Sequence, residues 1–327
     1  MQAAVYERYG SPQTLELREV PRPEPGPNEV LVKTQATTVT LVDTAFRSGR
    51  PWMARLFTGL LRPKNQILGT EFAGRVEAVG SEVDRFEVGD VVFGASDQGF
   101  GTHAEYVCVA QTGALAIKPS NITVGEAAAV SNGALTALPF LRDHAKLRPG
   151  QKILIIGASG SIGTCAVQLA KHFGAHVTGV CSTANVELVK SLGADRVIDY
   201  TKDDFTQGDE VYDVVFDTVG KSSFSRSKGV LTPRGIYMTT VISIGILIQT
   251  AWTSMFGGKK SVFAATGLRS TVDKNADLLV LKELIEAGTL RTIIDSHYSL
   301  GQIADAHRYV DTERKKGNVI IAIPNAA

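Results

Sequence analysis

Three glycines spaced by two residues each, Gly157, Gly160 and Gly163, lie between a short apolar run and a segment with helical periodicity. In such a turn the first glycine permits a sharp bend, the second lets the backbone approach a pyrophosphate, and the third lets the helix pack on the strand. The amino end of the helix offers N–H groups and a positive dipole end to an anion. The pattern predicts a dinucleotide phosphate site, with an ordinary glycine-rich turn as the alternative. The predicted contacts are Gly157, Ser159, Gly160, Ser161, Ile162 and Gly163.

The end of the next apolar run predicts which dinucleotide binds. Sites for NAD place an Asp or Glu there, where it binds the ribose hydroxyls. This chain has Ser182, Thr183 and Asn185 at that point, and the next acid is Glu187. Hydroxyl and amide donors can bind a 2′-phosphate, and no carboxylate of this stretch would repel it. NADP(H) is therefore favoured over NAD(H), although the turn contains no Arg or Lys.

The elements that carry these residues alternate between short apolar strands and helices from residue 123 onward. This alternation predicts βαβ units and a parallel sheet, that is, an α/β fold with a Rossmann doubly wound sheet. The first 122 residues instead show short alternating runs separated by Gly and Pro, which predicts an all-β region. We expect residues 1–122 and 267–327 to form one domain, to which the terminal strand returns, and residues 123–266 to form the other.

Composition excludes several classes of protein. The chain has 327 residues, with 34 Lys and Arg against 33 Asp and Glu, so its net charge of +1 argues against nucleic acid as a partner. The three cysteines are far apart, which predicts free thiols in a reducing compartment, and we expect a cytoplasmic protein. The uncharged stretch from Gly235 to Gly258 is long enough to span a bilayer, but its polar residues favour a buried strand followed by an apolar active-site or subunit-interface segment.

Several motifs together resemble the medium-chain dehydrogenase/reductase superfamily. They are GASGSIGTCAVQLAKHFGA, LGADRVIDY and YDVVFDTVGK in the second half, and VTLVDTAFRSG, ILGTEFAGRVEAVG and FEVGDVVFG in the first. The chain is most similar to the zinc-independent quinone oxidoreductase (ζ-crystallin-like) group. The resemblance implies a GroES-like β-barrel catalytic domain, a Rossmann domain for NADPH and an active site in the cleft between them.

The same resemblance assigns individual positions. The zinc-ligand positions of the alcohol dehydrogenases correspond to Thr40, Thr70 and Asn132, none of which is a good zinc ligand, so no zinc is expected. Thr136 corresponds to a threonine beside the nicotinamide. The other predicted cofactor contacts outside the glycine turn are Ser182, Thr183, Asn185, Tyr200, Thr218 and Val219. Relatives differ from this chain at Thr40 (commonly Asn), at Ala45 (often Tyr) and at Asn185 (sometimes Lys).

Hydride transfer to a quinone or an enone needs alignment of the reactants and a hydrogen-bond donor for the developing oxyanion. Thr40 and Asn132 are the candidate catalytic residues, although Thr40 could equally cap a strand end. Asp43 and Glu71 are expected to hold the backbone rather than to act as acids. His103 is expected to be a loop histidine, and the segment 50–66 is either a lid or a packed surface loop.

The leading hypothesis is an NADPH-dependent oxidoreductase of small-molecule quinones or α,β-unsaturated carbonyl compounds. The alternatives are an NADPH-binding protein with a structural or interaction role and an enoyl-thioester reductase. We also expect a homodimer paired through the strand in SVFAATG.

Overall fold

The structure is a computed structural model, which describes residues 1–96 and 100–323. The strands, in chain order, are β1 (Gln2–Val5), β2 (Glu16–Glu19), β3 (Glu29–Val39), β4 (Glu71–Val79), β5 (Val91–Ala95), β6 (Tyr106–Ala110), β7 (Ala114–Ile117), β8 (Lys152–Ile156), β9 (His176–Cys181), β10 (Arg196–Asp199), β11 (Tyr212–Asp217), β12 (Leu231–Thr239), β13 (Lys260–Phe263), β14 (Ile294–Ser299) and β15 (Asn318–Ala322). The helices are α1 (Leu41–Ser48), α2 (Arg55–Thr58), α3 (Val124–Pro139), α4 (Ser161–His172), α5 (Val186–Ser191), α6 (Phe224–Ser227), α7 (Ile244–Met255), α8 (Thr271–Glu286) and α9 (Ile303–Val310).

The chain divides into two compact units. The first comprises Met1–Asn132, Ser270–Gly288 and Thr292–Ala327, and the second comprises Gly133–Arg269 and Thr289–Arg291. These units are defined by packing, and the domain limits expected at 122/123 and 266/267 remain a prediction.

The first unit is built around the long strand β3. In its larger sheet the strands lie in the order β14-β15-β3-β4-β5-β7, with β6 paired to β3, while β1 and β2 form a separate pair. The pair β15–β3 is antiparallel, with Val319 opposite Val39, so the expected return of the terminal strand is confirmed. Most of β3 is buried, and residues of this strand belong to two apolar clusters.

The second unit is a parallel sheet in the strand order β10-β9-β8-β11-β12-β13. This is the doubly wound order, in which the chain reverses direction across the sheet between β8 and β11. Ligands of such sheets bind outside the carboxyl ends of the strands at that reversal. The predicted glycine turn follows β8, and Thr218 follows β11, so both lie at this position.

The structure adds detail to three segments. Residues 114–117 form β7, which the alternation rule missed because its sequence, ALAI, is apolar on both faces. The sequence FSRSKGVL forms only one α-helical turn, α6, followed by the 3-10 turn Lys228–Val230. The uncharged stretch after Gly235 divides into the end of β12 and the twelve-residue helix α7. Among the described residues, no helix is both long enough and apolar enough to cross a bilayer.

Candidate functional site

The glycine turn has the backbone geometry that its sequence predicts. Gly157 has a φ of +80°, and a Cβ there would lie 2.7 Å from a methyl of Val219. A Cβ on Gly163 would lie 2.1 Å from the Gly157 carbonyl oxygen, so α4 can pack here only without a side chain. Gly160 differs, because its Cβ would meet only that same oxygen, at 3.4 Å, and otherwise point into open space. A side chain at 157 or 163 would meet neighbouring atoms, whereas at 160 the space suits an approaching phosphate.

Helix α4 begins directly after this turn. Its N-cap residue is Gly160, which has no side chain to accept from the first N–H groups. Ser161, Ile162 and Gly163 form the first turn, so their N–H groups and the positive dipole end point toward the loop. A diphosphate fits this donor set.

Gly133 of α3 belongs to the same region, although the sequence analysis gave it no role. A Cβ on Gly133 would lie 2.5 Å from the Ser161 carbonyl oxygen. Thr136 lies one helical turn further along α3 and is half-buried. The close approach that Gly133 permits therefore brings Thr136 to the side of α3 that faces the start of α4. A glycine inside a helical pattern was the available signal.

Asn185 connects the glycine turn with the end of β9. Its amide donates to the Ser159 hydroxyl at 3.0 Å and to the Ser182 hydroxyl at 3.3 Å. In this orientation its carbonyl oxygen Oδ1 is buried and has no partner among the described groups, which is unfavourable for an acceptor.

The turn after β9 is not free of carboxylates in three dimensions, contrary to the sequence expectation. Asp199 pairs with Cys181 across the parallel strands β10 and β9. Its carboxylate accepts the Thr183 hydroxyl at 2.6 Å, and this bond, together with those from Thr201, lowers the pKa of Asp199 to about 2. Lys202 lies 3.6 Å away and partly offsets the charge. Asp199 is distant from this turn in the sequence, but adjacent parallel strands end side by side, so its carboxylate lies near the turn.

Tyr200 and the loop after β11 complete the carboxyl edge of this sheet. The Tyr200 side chain is 63% exposed, so its ring is available at the surface of the turn. The Thr218 hydroxyl donates to the Ile156 carbonyl at 2.9 Å, which holds the loop against β8. Asp217 accepts from the N–H groups of Val219 at 3.1 Å and Gly220 at 2.8 Å, and from the Tyr237 hydroxyl at 3.1 Å. Asp217 thus braces the loop that carries Thr218 and Val219.

In the first unit, Thr40 is the N-cap of α1. Its hydroxyl donates to Asp43 Oδ2 at 2.7 Å and accepts from the Asp43 N–H at 3.3 Å, a reciprocal capping box. The Gly69 N–H donates to Asp43 Oδ1 at 3.2 Å. Asp43 is fully buried, and burial raises its pKa to about 6 against the opposing effect of these hydrogen bonds.

This arrangement controls what Thr40 can donate. While Asp43 is ionised, the Thr40 hydroxyl hydrogen is held by the carboxylate. When Asp43 is protonated, the carboxyl hydrogen can donate to Thr40 Oγ, and the hydroxyl hydrogen becomes available to another acceptor. The protonation state of Asp43 therefore decides whether the Thr40 hydroxyl hydrogen is available to another acceptor. The other predicted catalytic residue, Asn132, belongs to α3, and its side chain lies outside the described part of the chain.

Two neighbouring polar residues, Glu71 and His103, are buried and hydrogen-bonded within the first unit. Glu71 is buried and accepts hydrogen bonds from the hydroxyls of Thr38 and Thr70. His103 is also buried, its Nε2 lies 2.8 Å from the Thr38 carbonyl oxygen, and burial lowers its pKa to about 4. It is therefore a neutral histidine near pH 7.

The residues at the zinc-ligand positions do not fit that metal. Thr40 is committed to the cap, and Thr70 donates to Glu71 at 2.5 Å. Within residues 1–96 and 100–323, no group of three or more His, Cys, Asp or Glu could hold a metal ion. No step of the chemistry below uses zinc.

Comparisons with known proteins agree with this geometry. Residues 26–119 match the alcohol dehydrogenase GroES-like domain family, and residues 192–321 match a family described as zinc-binding dehydrogenases. A quinone oxidoreductase from Pseudomonas aeruginosa is 33% identical over 96% of this chain and 97% of its own. A chloroplastic NADPH-dependent alkenal/one oxidoreductase from Arabidopsis thaliana is 31% identical over 98% of this chain and 79% of its own.

A solved structure extends the match to the whole fold. The quinone oxidoreductase of Escherichia coli, complexed with NADPH, superposes with a TM-score of 0.83 at 26% identity, over 98% of this chain and all of that one. The expected pair of folds, a GroES-like domain and a Rossmann-type parallel sheet, is confirmed. The chain is an oxidoreductase of the medium-chain dehydrogenase/reductase superfamily and belongs to its zinc-independent quinone oxidoreductase group.

Proposed function

We propose that this enzyme transfers hydride from NADPH to small quinones or α,β-unsaturated carbonyl compounds. The observation that carries the proposal is the glycine turn, where a side chain would clash with neighbouring atoms at 157 and 163 but not at 160. A fold built to bind a dinucleotide, in a family whose relatives are named for quinones and alkenals or enones, supports this reaction class. Bound NADPH would supply the hydride.

The cofactor is proposed to lie along the carboxyl edge of the parallel sheet. Its diphosphate would accept from the N–H groups of Ser161, Ile162 and Gly163. Ser182, Thr183, Asn185 and Tyr200 would surround the adenosine, and Thr136, Thr218 and Val219 the nicotinamide half. The hydroxyls of Ser182 and Thr183 and the ammonium of Lys202 support NADPH over NADH, and the Asp199 carboxylate opposes it.

The proton that follows the hydride is proposed to come through Thr40. Hydride addition to an enone leaves an enolate oxygen, which needs a donor in a site that excludes water. With Asp43 protonated, the Thr40 hydroxyl can donate to that oxygen while its own oxygen accepts from Asp43. Asn132 is proposed as a second donor to the same oxygen.

Steady-state oxidation of NADPH in the presence of 1,4-naphthoquinone, an alkenal and crotonyl-CoA tests the reaction. We expect turnover with the first two and little with the thioester. A dominant crotonyl-CoA activity would support the enoyl-thioester alternative. NADPH binding without turnover of any of the three would instead support a binding or structural role.

The proton donor is tested separately, with the variants Thr40→Ala and Thr40→Ser. Loss of the cap alone destabilises a helix by about 1 kcal/mol, which the Ser variant avoids because it keeps the hydroxyl. We expect Thr40→Ala to lower kcat at least tenfold with NADPH affinity unchanged, and Thr40→Ser to retain most activity. Equal kcat in the Ala variant and the wild type would contradict the assignment.

The proposed assembly is a homodimer in which β13 pairs with its copy. This strand lies at one edge of the parallel sheet, and the adjoining helix α7 exposes Ile244, Ile248 and Trp252. Sedimentation velocity of the wild type tests the dimer, and a monomer at micromolar concentration would contradict it. Free thiols at Cys108, Cys165 and Cys181 support a reducing, cytoplasmic location.

A further inference from the structure

The segment from Pro51 to Lys64, which we name the 51–64 surface, exposes large apolar side chains beside cations. Leu61 is 90% exposed and Trp52 67% exposed, and Leu56 and Leu60 are exposed as well. Contiguous apolar groups of this kind on a protein surface commonly mark a contact site. A shallow pocket of about 490 Å³ lies among them, lined by the leucines and by Arg55, Arg62 and Lys64.

Hydrogen bonds and a cation–π contact attach the 51–64 surface to the rest of the first unit, so the fold fixes the exposure of its leucines. The Tyr9 hydroxyl hydrogen-bonds with the Thr58 hydroxyl at 2.8 Å, and the Arg55 guanidinium lies 4.6 Å from the centre of the Tyr9 ring. The Lys64 N–H donates to the Thr58 carbonyl at 2.7 Å, which folds the chain back after α2. That reversal uses Gly59, which has a φ of +121° and whose Cβ would lie 2.2 Å from the Arg62 carbonyl oxygen. The fold thus holds Leu60 and Leu61 outward.

The charged residues of this segment have one sign. No Asp or Glu occurs between Asp43 and Glu71, although acidic and basic residues nearly balance over the whole chain, whose net charge is +1. Arg50, Arg62 and Lys64 are exposed. Neither Arg62 nor Lys64 forms an ion pair with any carboxylate in the described ranges of the chain. An apolar centre with an unneutralised cationic rim is complementary to a surface that is apolar below and anionic above.

We propose that the 51–64 surface docks the protein on an anionic lipid bilayer. Trp52, Leu56, Leu60 and Leu61 enter the boundary between headgroups and acyl chains, where an aromatic ring and leucines are stabilised. Arg62 and Lys64 contact lipid phosphates, with the pocket between them as the seat of one phosphate. The docking is peripheral, and it does not depend on the substrate proposed above.

Co-sedimentation of the full-length protein with vesicles tests the docking. We expect binding to vesicles of phosphatidylcholine mixed with phosphatidylglycerol, weaker binding to phosphatidylcholine alone, and a loss of binding as salt is raised. The variant Arg62→Gln/Lys64→Gln should bind the anionic vesicles about tenfold or more weakly, because each basic residue near such a surface contributes about fivefold. The control Arg314→Gln/Lys316→Gln removes two exposed cations elsewhere in the first unit and should bind like the wild type.

Tryptophan fluorescence tests the location, because the chain has only Trp52 and Trp252. In the variant Trp252→Phe, the remaining Trp52 should shift to shorter wavelength on anionic vesicles and be quenched by doxyl-labelled lipid. In Trp52→Phe, the remaining Trp252 of α7 should not respond. No sedimentation, equal binding by the two glutamine double variants, or a response from Trp252 alone would each overturn the proposal.

Discussion

At the scale of single residues, Asp43 has the largest consequence for the proposed chemistry. It is a fully buried carboxyl whose pKa is raised to about 6, and it shares a capping box with the candidate donor Thr40. The cap needs only acceptor oxygens, so it forms in either protonation state. Proton delivery by Thr40 requires the protonated state. One residue thus connects the start of a helix with the proposed proton transfer.

The pH dependence of kcat follows from that raised pKa. Below about pH 6 the carboxyl is protonated and the Thr40 hydroxyl can donate, whereas above it the carboxylate holds that hydrogen. We therefore expect kcat for an enone to fall as the pH rises through about 6. The measurement is a pH profile of kcat at saturating NADPH.

The variant Asp43→Asn serves as the control for this profile. Its amide can donate to Thr40 Oγ at every pH, so the fall near pH 6 should disappear. An unchanged fall in the Asn variant would mean that another group controls the reaction.

The glycines of the turn offer a matched pair of substitutions. Gly160→Ala adds a methyl whose nearest neighbour is 3.4 Å away, so the free energy of unfolding should hardly change. The same methyl lies where the diphosphate is proposed, so NADPH affinity should fall tenfold or more. Gly163→Ala places its methyl 2.1 Å from a backbone oxygen and should destabilise the fold by about 2 kcal/mol. Urea denaturation and NADPH titration measure both effects, and normal NADPH affinity in Gly160→Ala would contradict the proposed site.

At the scale of elements, the parallel register of β9 and β10 decides what surrounds the proposed adenosine site. Asp199 is opposite Cys181, so its carboxylate reaches the Thr183 hydroxyl of the neighbouring turn. A strand end therefore adds a negative charge where the sequence of the turn itself has none. We therefore expect a weaker preference for NADPH than the sequence predicts.

Removing this charge should strengthen the preference. Asp199→Asn keeps a hydrogen-bond acceptor for Thr183 but removes the negative charge, so the ratio of kcat/KM for NADPH to that for NADH should rise about threefold to tenfold. The control Glu187→Gln removes an acid whose side chain is 85% exposed and should leave the ratio unchanged. A ratio that falls or stays constant in Asp199→Asn would show that this carboxylate does not face the cofactor.

At the scale of the whole molecule, the chain returns to its first unit after completing the second. Strand β15 pairs with β3, and its Val319 and Ile321 join a buried cluster with Ala4 and Leu68 from the beginning of the chain. The buried Arg47 of α1 forms an ion pair at 2.8 Å with Asp311, the residue that follows α9. The first unit is therefore incomplete until the last strand has been made.

This return predicts a strong effect of one residue near the carboxyl terminus. Ile321→Ala should destabilise the first unit by about 2 to 5 kcal/mol, because Ile321 is fully buried. The Tm of the unfolding transition of that unit should fall by about 5 °C or more. Leu268→Ala, at a residue 74% exposed, should change Tm little. Calorimetry resolves the transitions, and an Ile321→Ala scan identical to the wild type would contradict the role of the last strand.

Local signals in the sequence predicted much of the fold. The spacing of Gly157, Gly160 and Gly163 predicted the turn, because a side chain at 157 or 163 would meet neighbouring atoms, while position 160 leaves open space. The alternation of strands and helices predicted the parallel sheet, because the spacing of apolar residues along each element indicates which of its faces is buried. Four predicted residues, Ser159, Ser182, Thr183 and Asn185, are brought into one connected region.

The sequence by itself determined the family, the two kinds of sheet and the glycine turn, because these depend on residues close together in the chain. The tertiary structure alone decided that Asp199 meets Thr183, that Gly133 lets α3 approach α4, and that burial raises the pKa of Asp43. It also decided that Leu60 and Leu61 remain exposed. Burial and charge at a point in space depend on segments that are distant along the chain, and no local pattern contains that information.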